Sequence, residues 1–312
     1  MARKSACVIG LDFGKSVVKM VEYSRVKKQV LTIAKLFLEP SEWDDEAGLS
    51  KKMRQWILDK KQSKTGEIVT AVPGEYAVIR QVEVDADEKN IRDTLSWEME
   101  QYINSSLDQY LLDFQDQEGD TAGTTNTFIV SAYRKAEIEK LQRIIDLPSL
   151  PLTVVDVDVF ASQNAFEINY PEHHSKNTWL IKADLHGINC ILTRRGRFLN
   201  FHSIPVPDDF LVADDPGRVQ IIGDLIKEIC TVLEEERSGD QGSVKKFFCG
   251  DLAADFEFKQ ALESAIPSGA VPLNSFKQVR FPHDAEYADK VMETAPQCAT
   301  ALGLAMRYRG DA

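Results

Sequence analysis

Paired cysteines are missing from this sequence. Its five cysteines, Cys7, Cys190, Cys230, Cys249 and Cys298, are odd in number, each alone in an apolar stretch, with no C-x-x-C pair among them. That argues against a disulfide framework or a thiolate zinc site and predicts buried thiols in a reducing compartment. Long apolar runs are missing too: nothing approaches the roughly 18 residues that span a bilayer. Arg3-Lys4 with Ala6 to Leu11 begins like a leader, but Asp12 cuts the run short and no small-residue cleavage pattern follows. The expected location is therefore cytoplasmic, with membrane association made through a partner and no direct insertion. Basic residues are in deficit, 37 Lys and Arg against 49 Asp and Glu, a formal charge of -12. A nucleic-acid partner is disfavoured on that ground. None of the five histidines has H-E-x-x-H spacing, and His173-His174 reads as an exposed linker pair. There is no G-x-S-x-G elbow, so nucleophilic hydrolysis has no support.

What is present is enough apolar material, 43% of 312 residues, to build two domains or two lobes. Ala6 to Asp12, Val17 to Tyr23 and Val30 to Phe37 read as a three-stranded meander. Helical spacing of Leu49, Met53, Trp56 and Ile57 follows, then β-rich Glu67 to Val72 and Ala77 to Val84 around Pro73-Gly74. Asp85 and Glu88 form a capping-box signal for a helix carrying Ile91, Leu95, Met99 and Tyr102 on one face, with Trp97 off that stripe. Tyr110 to Gln115 and Thr127 to Tyr133 read as a hairpin around a polar loop, Asp116 to Asn126. A helix near Lys135 to Asp146, a strand Leu152 to Val157 and a helix Val159 to Asn169 come next. Pro171 to Asn177 is the expected lobe boundary. Beyond it the opening returns: Trp179 to Asp184, Ile188 to Thr193 and Arg197 to Ile204 form a second meander whose first strand also ends in Asp. This is a duplicated meander-plus-helix lobe. The remainder predicts a loop Pro205 to Gly217, helices near Val219 to Arg237 and Ala253 to Ala265 about a strand Val244 to Cys249, and a small-residue helix Thr294 to Tyr308.

The stretch VIGLDFGKSVVKMVEY, Val8 to Tyr23, contains Gly14-Lys15-Ser16 and invites comparison with a P-loop. That motif needs four residues between its glycines and a helix after them. Here three residues separate Gly10 from Gly14, and Val17 to Val21 is strand-like. A hairpin turn presenting the Gly14, Lys15 and Ser16 amides, with Asp12 placed for a hydrated Mg²⁺, fits better. A plain tight turn capped by Asp12 fits these residues equally.

That stretch resembles the first phosphate motif of the actin-like ATPase superfamily and, within it, the PilM family of type IV pilus assembly proteins. The resemblance extends through Glu98, Tyr102 and Ile103, then Leu112, Asp113 and Phe114, to LPLTVVDVDVFASQNAF and ATALGLAMRY. It implies an α/β, ribonuclease H-like duplicated fold with two lobes around a cleft, residues 1–170 and 171–312. A small subdomain is inserted at about 85–150, and the second-lobe subdomain is reduced to Pro205 to Gly217. The implied cofactor is ATP, held by Asp12, Gly14, Lys15, Ser16, Lys19, Asp184, Gly187 and Gly250, with Mg²⁺ on Asp12 and Asp184 through water. Departures count against that site. The second motif reads Asp184-Leu185-His186, with Gly187 one position late, and the adenosine motif offers Gly250 followed by Asp251. No catalytic residue is assigned. The implied partner is the N-terminal peptide of a PilN-like bitopic inner-membrane protein, received near Trp97, Glu98, Tyr102 and Asp113, and the chain would join it to pilus motor or ring components. The expected role is an adaptor. An ATP-driven conformational switch and the cytoplasmic part of a type II secretion L-type protein are the alternatives.

Overall fold

The computed structural model describes residues 6–117, 124–194, 196–235, 244–266, 269–281 and 291–307. The first meander forms as β1 (Cys7–Phe13), β2 (Val17–Ser24) and β3 (Gln29–Phe37). Parallel β4 (Glu67–Val72) and β8 (Leu152–Val157) complete a sheet in the order β3-β2-β1-β4-β8. β1 is buried at all seven positions because both its faces are covered. Ile9, Leu11 and Phe13 pack on Leu49, Met53 and Ile57 of α1 (Glu46–Lys60). Val8, on the opposite face, meets Ala161 of α4 (Asp158–Asn169).

The second lobe repeats this wiring. β9 (Asn177–Ala183), β10 (Gly187–Arg194) and β11 (Arg197–Pro205) form the meander, and β12 (Lys245–Cys249) adds in parallel to β9. A two-residue strand β13 (Val271–Pro272) follows it, giving the order β11-β10-β9-β12-β13. α5 (Asp215–Glu235) and α6 (Phe256–Ala265) cover one face through Ile222, Leu225, Ile229, Phe258 and Leu262. Between β11 and α5 there is one short 3-10 turn, Asp208–Leu211, in keeping with a reduced subdomain.

A third sheet, β5-β7-β6, is the insertion: β5 (Val78–Asp85), β6 (Tyr110–Asp116) and β7 (Thr125–Arg134). α2 (Ile91–Glu100) lays Leu95 and Met99 on one of its faces, and α3 (Lys135–Ile144) returns the chain to the first lobe. α2 starts later than the capping-box signal predicts. Glu88 instead accepts from the Asn90 amide, at 2.7 Å, so it closes the preceding turn. Most of the polar loop expected at Asp116 to Asn126 lies outside the described residues. The last helix divides into a 3-10 turn, Ala295–Cys298, with Pro296 in its first turn, and α7 (Ala299–Met306). α7 packs between β1 and α4. A Cβ on Gly10 would stand 2.0 Å from the Ala301 carbonyl oxygen, and one on Gly303 1.7 Å from that of Ala161. Those two glycines are therefore sites of backbone-to-backbone contact. They return residues 299–306 to the first lobe, which a linear division at 170 does not capture. Two further expectations are corrected. His173 is no exposed linker residue but packs edge-on to Phe247 at 5.3 Å, and Cys230 is half-buried whereas the other four thiols are buried.

Candidate functional site

The duplication sets β1 and β9 tip to tip, which brings Asp12 and Asp184 into one buried cleft. Lys19 stands opposite Asp12 in the β1–β2 ladder. Its ammonium lies 2.9 Å from Asp12 Oδ2 and 2.7 Å from Asp251 Oδ1. Lys182, on β9, lies 2.5 Å from Asp158 Oδ2 and also pairs with Asp184. Each lysine thus joins an acid of its own lobe to one across the cleft. Lys19 runs from the first lobe to Asp251, and Lys182 from the second lobe to Asp158. Burial works against both charges, but the Asp12 and Asp251 carboxylates around Lys19, and Asp158 and Asp184 around Lys182, hold the two ammonium groups firmly charged. Burial alone would raise the Asp184 carboxyl; Lys182, Lys19 and the Asp251 amide, which donates to Asp184 Oδ1 at 2.7 Å, hold it far below the usual range.

The glycines expected at phosphate do other work here. The Gly14 amide donates to the Val17 carbonyl at 2.9 Å, so it closes the hairpin turn. Asp251 Oδ2 would lie 2.8 Å from a Cβ on Gly14. Lys15 reaches Asp208 across the cleft at 2.5 Å, and the Ser16 carbonyl accepts from Leu38 at 2.9 Å. Gly250, at φ 99°, is in the left-handed region and packs on Ala183, whose carbonyl oxygen a Cβ would approach to 2.4 Å. At Gly187 a Cβ would come to 3.1 Å from Glu75 Oε2, so the missing side chain there makes room for a carboxyl group of the first lobe.

Glu75 is half-buried, but both its carboxyl oxygens are buried without a hydrogen-bond partner, and His186 Nδ1 stands 3.8 Å away. Burial, then the nearby Asp158 charge, pushes it up to about 8, so it carries a proton at neutral pH. Burial lowers the His186 imidazole. Beside them lies a cavity of about 750 Å³ walled by Phe13, Trp43, Tyr76 and Tyr133. Asp158, Lys182 and Glu75 are absent from the sequence reading. The signal for Lys182 was a charged residue inside the apolar run WLIKADL, and for Asp158 the inward register of VVDVDVF.

The four residues expected to receive a partner are not brought together. Trp97, 62% exposed, Glu98 and Tyr102 belong to the α2 side of the inserted sheet, where Arg80 covers the Tyr102 ring at 4.6 Å. Asp113 points to the opposite face, beside Ser131. There a groove of about 470 Å³ separates the inserted sheet from α4. Residues 113–117 form one wall, Ile129, Phe160 and Phe198 contribute apolar surface, and Asp156 is paired with Arg307.

Two meander-and-helix lobes facing across a cleft with an aspartate from each define the class: this is an actin-like ATPase fold. Solved structures agree. A protein of unknown function with that fold from Bacteroides thetaiotaomicron matches at TM-score 0.53 and 9% identity, over 87% of this chain and 92% of that one. The ethanolamine utilization protein EutJ from Carboxydothermus hydrogenoformans matches at TM-score 0.54 and 9% identity, over 96% and 89%. A PilM-PilN type IV pilus biogenesis complex matches at TM-score 0.82 and 21% identity, over 96% of this chain and 98% of that one. The type IV pilus assembly protein PilM family matches residues 10–181, and the chain belongs to that family. Among the described residues no helix is long and apolar enough to cross a membrane.

Proposed function

We propose that this chain works in type IV pilus assembly as an adaptor that captures an extended N-terminal peptide of a PilN-like inner-membrane protein and so joins it to motor or ring components in the cytoplasm. The observation that carries this reading is the groove between the inserted sheet and α4. β6 forms its wall and, among the described residues, pairs only with β7. An open strand edge offers amides and carbonyls to an extended peptide, while flanking pockets select its side chains. Ile129, Phe160 and Phe198 supply the apolar pockets. Asp113, Asp116 and Glu167 give the groove an acidic bias suited to a basic peptide.

The cleft supports the same reading. Its carboxylates already have counter-charges in Lys19 and Lys182, the service a Mg²⁺ ion performs beside polyphosphate, and the Gly14 amide is engaged in its turn. The chain's own lysines hold the lobes together where a nucleotide switch would need a ligand to do so.

Calorimetry with synthetic N-terminal peptides of candidate partners tests the groove. Binding weakened tenfold or more by Phe160→Arg or Asp113→Lys, with Trp97→Ala near neutral, is the expected outcome. Failure of every such peptide would remove the reading. Millimolar MgATP should leave the thermal midpoint unmoved; a clear rise abolished by Asp12→Ala would favour the nucleotide switch.

A further inference from the structure

Charge is unevenly spread over this acidic molecule. Residues 25–37 contain Arg25, Lys27, Lys28 and Lys35 and no acid, and residues 60–66 contain Lys60, Lys61 and Lys64 and no acid. The fold gathers most of these at one place. The Gln62 and Ser63 amides donate to the two oxygens of Glu22, at 2.6 and 2.9 Å, which ties the loop after α1 to the end of β2. The Arg25 amide donates to the Ala6 carbonyl at 2.9 Å, which fixes the β2–β3 turn at the same end of the sheet. Lys27, Lys28, Lys60 and Lys64 are exposed there, Lys61 is half-exposed, and none of the five has a carboxylate within ion-pair distance among the described residues. Three acids beside them are engaged elsewhere: Glu22 is held by the two amides, Glu67 pairs with Arg25, and Asp59 accepts from Gln55. Lys28 takes a left-handed φ of 52°, and the tight turn leaves Val26 77% exposed at its tip.

An apolar side chain at a convex tip, ringed by long lysines, matches a surface with negative headgroups outside and hydrocarbon just beneath. A second copy of the chain would bring another formal charge of -12 with it, and the exposed Val26 offers an apolar point to hydrocarbon. We propose that this end of the first lobe rests directly on an anionic phospholipid surface, through Val26 and Lys27, Lys28, Lys60, Lys61 and Lys64. The cleft, at the opposite ends of β1 and β9, then faces away from the bilayer. The contact is independent of the peptide groove and adds to any tether a membrane-anchored partner provides.

Flotation of the whole chain with vesicles tests this, comparing phosphatidylcholine alone with phosphatidylcholine containing phosphatidylglycerol. Each lysine near an anionic surface is worth about fivefold in partitioning at low salt, the equivalent of roughly 1 kcal/mol. Binding should therefore require phosphatidylglycerol, vanish at high salt, and fall by about a hundredfold or more on combined Lys27→Glu, Lys28→Glu, Lys60→Glu and Lys64→Glu. Lys227→Glu with Lys259→Glu on the second lobe should leave it unchanged. Peptide binding in the groove should survive the quadruple change, which separates failure here from failure of the adaptor reading. Should the quadruple variant unfold, Lys28→Gly carries the test: it relieves the left-handed backbone while removing one charge, and about a fivefold loss is expected. Equal flotation on both vesicle types, or equal binding by parent and variant, overturns the proposal. So does binding to polyglutamate without lipid dependence, which would put an acidic protein partner in the bilayer's place.

Discussion

At the scale of single residues the cleft is a problem in neutralisation. Asp12, Asp158, Asp184, Asp251 and Glu75 share it with two lysines, and the surplus is met by protonation as well as by pairing. Glu75 is the group that yields. Its carboxyl is raised in the folded chain, from 4.5 to about 8, because burial and Asp158 both disfavour its charge. A raised acid binds its proton more tightly folded than unfolded, so the stability it permits is full below pH 4.5 and is lost as pH rises to about 8. The slope is at most about 1.4 kcal/mol per pH unit. Glu75→Gln should therefore have little effect near pH 5 and raise the thermal midpoint by several degrees above pH 8, as measured by calorimetry across that range. A variant that loses stability equally at both ends would mean that the carboxyl is not neutral in the fold.

At the scale of elements, α7 is the piece whose position depends most on residue size. Adding a methyl group at Gly303 would set it 1.7 Å from the Ala161 carbonyl oxygen, and both partners are backbone, so neither side chain can swing aside. Gly303→Ala should cost about 3 kcal/mol or more in urea unfolding, whereas Gly223→Ala, with open space around it, should be neutral or slightly stabilising. The periodicity of the sequence is sufficient for most elements. Both meanders, the inserted hairpin and the flanking helices follow from alternation, 3.6-residue spacing and turn chemistry, which are local signals. The repeated aspartates at Asp12 and Asp184 reveal the duplication for the same reason. What escapes such reading is non-local. That Lys182 answers Asp158, that Gly187 makes room for Glu75, and that Trp97 and Asp113 lie on opposite faces of one sheet depend on which strands become neighbours. The departures at His186 and Asp251 are visible as residue types. The internal ion pairs that accompany them need the folded cleft.

At the scale of the molecule, the two lobes are fastened by crossed bridges, Lys19 to Asp251 and Lys182 to Asp158. Removing one lysine strands buried carboxylates, at about 3–5 kcal/mol. Lys182→Met should lower the unfolding free energy measured in urea by that amount, and replacing Asp158 by Leu in the same chain should recover part of the loss, because the stranded charge is removed with it. Were the single and double variants equally unstable, the pair would not be the fastening described. The return of α7 to the first lobe has a consequence in time. During synthesis β1 and α4 emerge early, yet the layer that lies between them, residues 299–306, is made only after the whole second meander has left the ribosome. Until then the β1 face around Gly10 stays uncovered by its last layer.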